Sequence, residues 1–177
     1  MTNLEIKTKR LHLRPLQAAD AEAVFRYRSD PEISRYQHWE PADLSEVERF
    51  IENNTKLAPG HWLQLAICLN DNHELIGDCG LHFPRDRDHE TELGISLAGE
   101  HQGIGYAAEA LKAVIGHLFN ELGKHRVYAS VDPRNLPSVK LLERVGMRKE
   151  GHFKKSVWFK GAWADDLVYA VLDEEWA

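Results

Sequence analysis

The segment HQGIGYAAEA, starting at His101, sets Gln102, Gly103, Ile104, Gly105, Tyr106 and Ala107 between an apolar alternating stretch, ETELGISL, and a long helical pattern, AAEALKAVIGHLFNELG. Glycines carry no Cβ, so backbone N–H groups at Gly103 and Gly105 can approach a ligand closely, and the helix N-terminus adds partial positive charge. The spacing predicts an anion cradle that suits a phosphate. A dinucleotide fingerprint needs a third glycine, where this chain has Ala108, and it opens a βαβ unit near the chain start. A Walker loop needs Gly-Lys-Ser/Thr, which is absent from the segment. Read from Gln102, the turn fits Q-x-x-G-x-A instead. A turn whose glycines serve only tight strand-to-helix packing is the alternative.

The elements that must position this loop follow from periodicity. TKRLHLRPL, residues 8–16, alternates Leu11 and Leu13 with Arg10, His12 and Arg14 and predicts a first strand. Ala19, Ala23, Val24 and Tyr27 recur at helical spacing over 18–29, with Asp30-Pro31 as the stop, and a second helix is expected over 45–57, begun near Asp43. Between the helices lies the polar and aromatic loop RYQHWEPAD. Strand patterns over 62–69, 75–83 and 91–97 have short polar connectors, so antiparallel neighbours are expected.

After the glycine turn, Ala107, Leu111, Val114 and Leu118 form one apolar stripe of a helix that ends before Gly123. HRVYASVD is the next strand, and a strand–helix–strand order of this length predicts a parallel pair. Asn135 caps the helix SVKLLERV, which Gly146 closes, and two strands joined across Lys160-Gly161 finish the chain. The expected architecture is α/β, a mixed sheet with antiparallel N-terminal strands, a parallel pair after the loop and helices on both faces. It fills one domain, residues 1–177.

Composition narrows the chemistry. At 177 residues, 43% hydrophobic and 28% charged, the chain matches an ordinary globular domain. No apolar run approaches a membrane span and MTNLEIKTKR lacks a signal-peptide core, so a cytoplasmic protein without membrane contact is expected. A net charge of −6 without a run of Lys and Arg argues against nucleic acid and favours cationic partners. Cys68 and Cys79 lie in apolar strand patterns and are expected as buried free thiols; the ten histidines show no ligand spacing, so no metal is expected.

The ordered set KTKRLHLRPL, SDPEISRY, ELGISL, the QGIGYA turn, NLPSVKLLERVGMRKEGHF and a closing Asp-Leu-Val-Tyr strand resembles the RimJ/RimL branch of the GNAT N-acetyltransferases over nearly the whole chain. The resemblance implies transfer of an acetyl group from acetyl-CoA to an amine, either a protein N-terminal α-amine or a small-molecule amine, by a monomer or homodimer. It implies that Gln102 to Ala107 hold the pyrophosphate. It also implies that Ile95, Ser96 and Leu97 form a bulged strand pairing with the pantetheine arm, and that Asn135 and Ser138 touch the coenzyme.

The resemblance implies that Ser138 assists the departing thiolate; Leu142 stands where other relatives carry a proton-donating tyrosine, which leaves Ser138, water or direct release of the thiolate as the options. The base is expected at Glu92, which shares a strand face with Gly94 and Ser96 and could order a water against the amine; His82 is the alternative. Tyr36, Trp39, Trp158 and Trp163 fall in regions that face the acceptor in the family, where aromatics could stack on a cation or simply pack. A coenzyme-binding protein without turnover is the competing reading, which Leu142 makes conceivable.

Overall fold

In a computed structural model describing residues 4–176, strands β1 (Ile6–Lys7), β2 (Leu11–Pro15), β3 (Trp62–Leu69), β4 (Leu75–His82) and β5 (Glu90–Leu97) pair antiparallel in chain order. Strand β6 (Arg126–Val131) lies parallel to β5, and β8 (Ala162–Leu172) and β7 (Arg148–Phe159) complete a single sheet in the order β1-β2-β3-β4-β5-β6-β8-β7. The mixed sheet and the parallel pair are those the patterns predict. The short β1 was not anticipated. Residues 8–10, assigned to the first strand by alternation, instead turn the chain from β1 into β2, with Thr8 N–H on Leu11 O at 2.8 Å.

Helices cover both faces. On one, α4 (Tyr106–Asn120) buries Leu111, Val114, Ile115 and Leu118, the i, i+3, i+4, i+7 stripe of a helix lying on a sheet. α5 (Leu136–Arg144) joins the same apolar cluster through Leu142. On the other face, α1 (Ala21–Arg28) and α3 (Leu44–Asn53) pack Val24, Tyr27, Val47 and Ile51 against Ala66 and Cys68. Alternate β3 residues feed the two clusters, Leu63, Leu65 and Ile67 one way and Ala66 and Cys68 the other, as the pleat requires. Both cysteines are buried and free, and burial raises both thiols above their usual range.

Local chemistry explains where elements begin and end. Asp30 does not simply stop α1: its carboxylate accepts from Glu32 N–H at 2.9 Å and caps α2 (Pro31–Ser34), with Pro31 in the first turn. α3 is shorter than its apolar pattern because Asn54 takes the Phe50 carbonyl at 2.7 Å while its own carbonyl accepts from Gln64 N–H in β3. Gly146 sits at φ +97 behind α5, and Lys160 and Gly161 both take positive φ, the conformation a two-residue hairpin turn demands.

One polar network lies inside this frame. Asp78 on β4 is fully buried and accepts from Arg28 Nε at 3.0 Å and Gln64 Nε2 at 2.6 Å, and also from the Tyr27 hydroxyl. These bonds offset the desolvation of the Arg28–Asp78 pair and fix α1 to the middle of the sheet.

Candidate active site

The site begins where the sheet comes apart. β5 and β6 pair only at Glu90↔Arg126, Thr91↔Val127 and Glu92↔Tyr128, and beyond Glu92 they diverge. On its other side β5 keeps unbroken register with β4, from His82↔Glu92 to Gly77↔Leu97. β5 therefore shows no bulge against β4; irregular register occurs between β3 and β4, at Ile67/Cys68, and between β7 and β8, at Lys149/Gly151 and Phe153/Val157. Splaying of β5 from β6 leaves the main chain of β5 beyond Glu92 without β6 as a partner.

Below the splay lies the glycine loop. Gly103 and Gly105 have φ +75 and +91, a region that side chains with a Cβ enter at a cost, and a Cβ on Gly103 would meet open space. Glu109 N–H bonds Gly105 O at 3.1 Å, so the amides of Tyr106, Ala107 and Ala108 are those that the first turn of α4 leaves without helical partners. Gln102 is different from the expectation of a donor N–H: its amide is spent on Gly99 O at 3.2 Å and its Nε2 on Leu97 O at 3.0 Å, which fastens the loop to the end of β5. Ile104 points outward, 51% exposed.

The first turn of α4 is braced from afar. Glu109 accepts from Thr8 Oγ1 at 2.6 Å, Arg10 N–H at 2.9 Å and Arg10 Nε at 2.6 Å, while Arg10 also reaches Ile104 O at 3.2 Å and lies 4.4 Å over the Tyr106 ring. Burial works against ionisation of Glu109, but these donors outweigh it and hold the carboxyl below its usual range. No pattern in the sequence announces this brace, since its partners stand 99 residues apart.

Two cavities flank the splay. The larger, about 730 Å³, is walled by Ile95, Ser96 and Leu97, by Gln102, Gly103, Gly105, Tyr106 and Ala107 of the loop, and by the start of α5. Arg35, Arg134, Lys140 and Arg144 line it and outnumber the acids Asp30 and Glu32. Ala107 faces this space, which explains its partial exposure within the apolar stripe. Ser96 Oγ is buried without a hydrogen-bond partner in the same wall. A glycine cradle, a cationic lining and an orphaned hydroxyl suit a long polar ligand that carries phosphates.

The smaller cavity, about 450 Å³, opens between β5 and β6 and is walled by Glu92, Trp62, His38 and Phe159, with Asp132, Asp165 and Asp166 adding negative charge. Tyr36, Ile95, Asn135 and Ser138 belong to both linings, so the two spaces meet there. Asn135 caps α5 as expected, its Oδ1 accepting from Ser138 N–H at 3.3 Å. Leu142 presents an apolar wall to the smaller cavity.

Burial, and then repulsion from Asp166, raise the Glu92 carboxyl above its usual range against the opposing pull of Arg87 and a hydrogen bond from Tyr128. Asp166 is raised as well, by burial first and by Asp132, while Ser130 and His38 act the other way. A carboxylate with a raised pKa is a stronger proton acceptor than one in water.

Other sequence candidates lie elsewhere. Trp39 stacks on Phe50 at 4.3 Å and belongs to the α1/α3 packing. Trp158 and Trp163 form an edge-to-face pair at 5.3 Å on the exposed β7–β8 hairpin, outside both linings. His82 is next to Glu92 with Nδ1 3.9 Å from Oε2, behind the cavity wall. No sequence motif marks Trp62 and Tyr128, which strand register aligns with Glu92, or Asp132 and Phe159, which reach the smaller cavity from just past β6 and from the end of β7. Among the described residues no group of three or more His, Cys, Asp or Glu side chains is arranged to hold a metal, and no helix is long and apolar enough to cross a membrane.

Residues 10–148 match the family model described as acetyltransferase (GNAT) domain. The chain belongs to the GNAT acetyltransferases. This acetyltransferase is 32% identical over 173 residues, 98% of the chain and 99% of the relative, to the uncharacterized N-acetyltransferase YnaD of Bacillus subtilis. It is similar over 107 residues, at 34% identity, to the [ribosomal protein uS5]-alanine N-acetyltransferase of Escherichia coli, covering 60% of this chain and 55% of that one. Its fold superposes on the crystal structure of a GNAT-family acetyltransferase from Bacillus anthracis with a TM-score of 0.89 and 30% identity, covering 97% of this chain and 99% of that one. This acetyltransferase is accordingly an acetyl-CoA-dependent N-acetyltransferase, with the RimJ-like character that the ordered motifs implied.

Proposed function

We propose that the enzyme acetylates the α-amine of a polypeptide N-terminus, drawing acetyl-CoA into the larger cavity and the acceptor into the smaller one, within one domain spanning residues 1–177. The observation that carries this reading is the shared lining at Tyr36, Ile95, Asn135 and Ser138, where a thioester held from one side meets an amine presented from the other. The amide N–H groups of the loop from Gly103 onward take the pyrophosphate, and main-chain groups of Ile95 to Leu97 take the pantetheine arm. Glu92, directly or through one water, accepts the amine proton as nitrogen attacks the thioester carbon. The C–S bond then breaks, and Ser138 donates a hydrogen bond to the departing sulfur in place of the tyrosine that Leu142 replaces.

The strength of base required supports an α-amine. With a pKa of about 7.7 it is roughly one-sixth neutral at pH 7, whereas a lysine-like amine near 10.4 is neutral in only a few parts in ten thousand. Glu92, raised by burial, suffices for the first. Similarity to an enzyme named for a ribosomal-protein alanine supports the same acceptor. A small polycationic amine is the second reading, favoured by Glu92, Asp132, Asp165 and Asp166 around aromatic walls.

Acetyl-CoA consumption measured across N-terminal peptides and free amines decides between them. Turnover with Ala- and Ser-initiated peptides is expected. Turnover with amines alone would move the acceptor class to the second reading, and binding of acetyl-CoA without turnover for any acceptor would overturn both.

A further inference from the structure

Trp62, His82, Glu92 and Tyr128 stand side by side across β3, β4, β5 and β6, as the pairings Trp62↔His82, His82↔Glu92 and Glu92↔Tyr128 record. Residues opposed on neighbouring strands project to the same face, so the four make one line of indole, imidazole, carboxyl and phenol. Only Trp62 and Glu92 of the four wall the acceptor cavity. Trp62 stacks on the imidazole with centroids 5.1 Å apart and planes at 27°, which fixes the ring behind Glu92.

His82 Nδ1 is buried and has no hydrogen-bond partner. An unpaired buried nitrogen is costly, and the acceptor or donor within reach is the Glu92 carboxyl, 3.9 Å away. Catalytic pairs often stand this loose without substrate and tighten when it binds. The imidazole also has a way out, since its side chain is 26% exposed.

The neighbours of the pair are few. Burial, Arg87 and His61 all favour neutral His82; burial and Asp166 favour neutral Glu92, opposed by Arg87 and by the Tyr128 hydroxyl. These influences raise the proton affinity of the carboxyl and lower that of the imidazole, which narrows the ordinary gap between the two groups and lets a proton pass between them.

We propose that His82 acts through Glu92 as a proton relay, draining the base after each acetyl transfer. The proposal rests on the reading of Glu92 as the base. The acceptor amine loses its N–H proton to Glu92 Oε2 as the new N–C bond forms. The Oε2 proton then moves to the Nδ1 lone pair, which restores the carboxylate and makes an imidazolium. The imidazolium gives one proton to water, and exchange with solvent resets the ring tautomer. No oxidant, metal or second substrate is needed.

Two measurements on the full-length enzyme test this. In side-chain ¹H–¹⁵N NMR without substrate, the His82 titration is expected to shift to lower pH in Glu92→Gln, because the carboxylate that favours its charged form is gone; an unmoved titration would overturn the relay. In kinetics, His82→Phe, which keeps the stack on Trp62, is expected to lower kcat by about 10- to 100-fold with KM for acetyl-CoA within about twofold. Glu92→Gln/His82→Phe should be no more than about twofold slower than Glu92→Gln alone, whereas independent, multiplying losses would refute a shared path. A Glu92→Gln variant with wild-type rate would instead bring down the base and the relay together. The NMR comparison needs no change at His82, so it stands even where His82→Phe does not fold.

Discussion

Gly105 and Glu92 show how much one position can carry. Gly105→Glu forces a side chain onto a φ of +91 and sets a carboxylate at the mouth of the phosphate cradle, beside Arg10 Nη2 3.4 Å from the Cβ position. Loss of measurable acetyl-CoA binding by calorimetry is expected, and unchanged affinity would remove the loop from the donor site. Glu92 makes an opposite bargain with stability. Its folded pKa is raised, so its favourable contribution is present below the usual carboxylate range, about 4.3, and is lost as pH rises through the raised value. Glu92→Gln should therefore abolish most activity yet raise stability at neutral pH on the order of 1 kcal/mol, a Tm increase of roughly 2–4 °C in a scan. At pH below about 4 the two proteins should melt together. For the unaltered enzyme, kcat/KM should fall as pH drops through the raised Glu92 value.

At the level of elements, what was legible in the sequence was whatever depends on neighbours along the chain. Helix α4 with its Leu111–Val114–Leu118 stripe, the Asn135 cap, the Gly146 stop and the Lys160-Gly161 hairpin all follow from local rules. Expectation failed where distant groups decide: Asn54 ends α3 by serving β3, and residues 8–10 turn so that Thr8 and Arg10 can reach Glu109. The donor half of the site was readable because a glycine cradle is a contiguous motif. The lining proposed for the acceptor was legible only in part, at Tyr36 and Glu92, because Trp62 on β3, Asp132 just past β6 and Phe159 at the end of β7 are far apart in the chain and share no contiguous motif. The Arg10–Glu109 brace gives this a measurable form. Glu109→Ala removes three hydrogen bonds that order the first turn of α4. Hydrogen bonds to a charged group contribute about 1.5–3 kcal/mol each, so a tenfold or greater weakening of acetyl-CoA binding is expected even though Glu109 does not line the donor cavity. Titration of the variant with acetyl-CoA checks it.

Across the whole molecule, charge is sorted rather than spread. The chain carries a net −6, yet Arg35, Arg134, Lys140 and Arg144 gather at the donor cavity while Glu92, Asp132, Asp165 and Asp166 gather at the acceptor cavity. On the proposed assignment an anionic donor and a cationic acceptor are each drawn to their own side, and salt should weaken both. Acetyl-CoA affinity is expected to fall several-fold between about 0.05 and 0.5 M NaCl, as screening shortens the reach of those cations; calorimetry at the two salt concentrations measures it. The splay of β5 from β6 has a different sort of consequence. What it offers a ligand is polypeptide backbone, and backbone is the same whichever side chain hangs from it. An alanine scan along 93–97 should therefore find little loss of acetyl-CoA affinity at most positions. Swapping a single peptide bond of β5 for an ester by chemical ligation, which deletes one N–H and leaves every side chain in place, should find it at once; an ester series as silent as the alanine series would show that the main chain of β5 takes no part. The contacts proposed for the main chain of β5 are then ones on which side-chain substitution has little purchase.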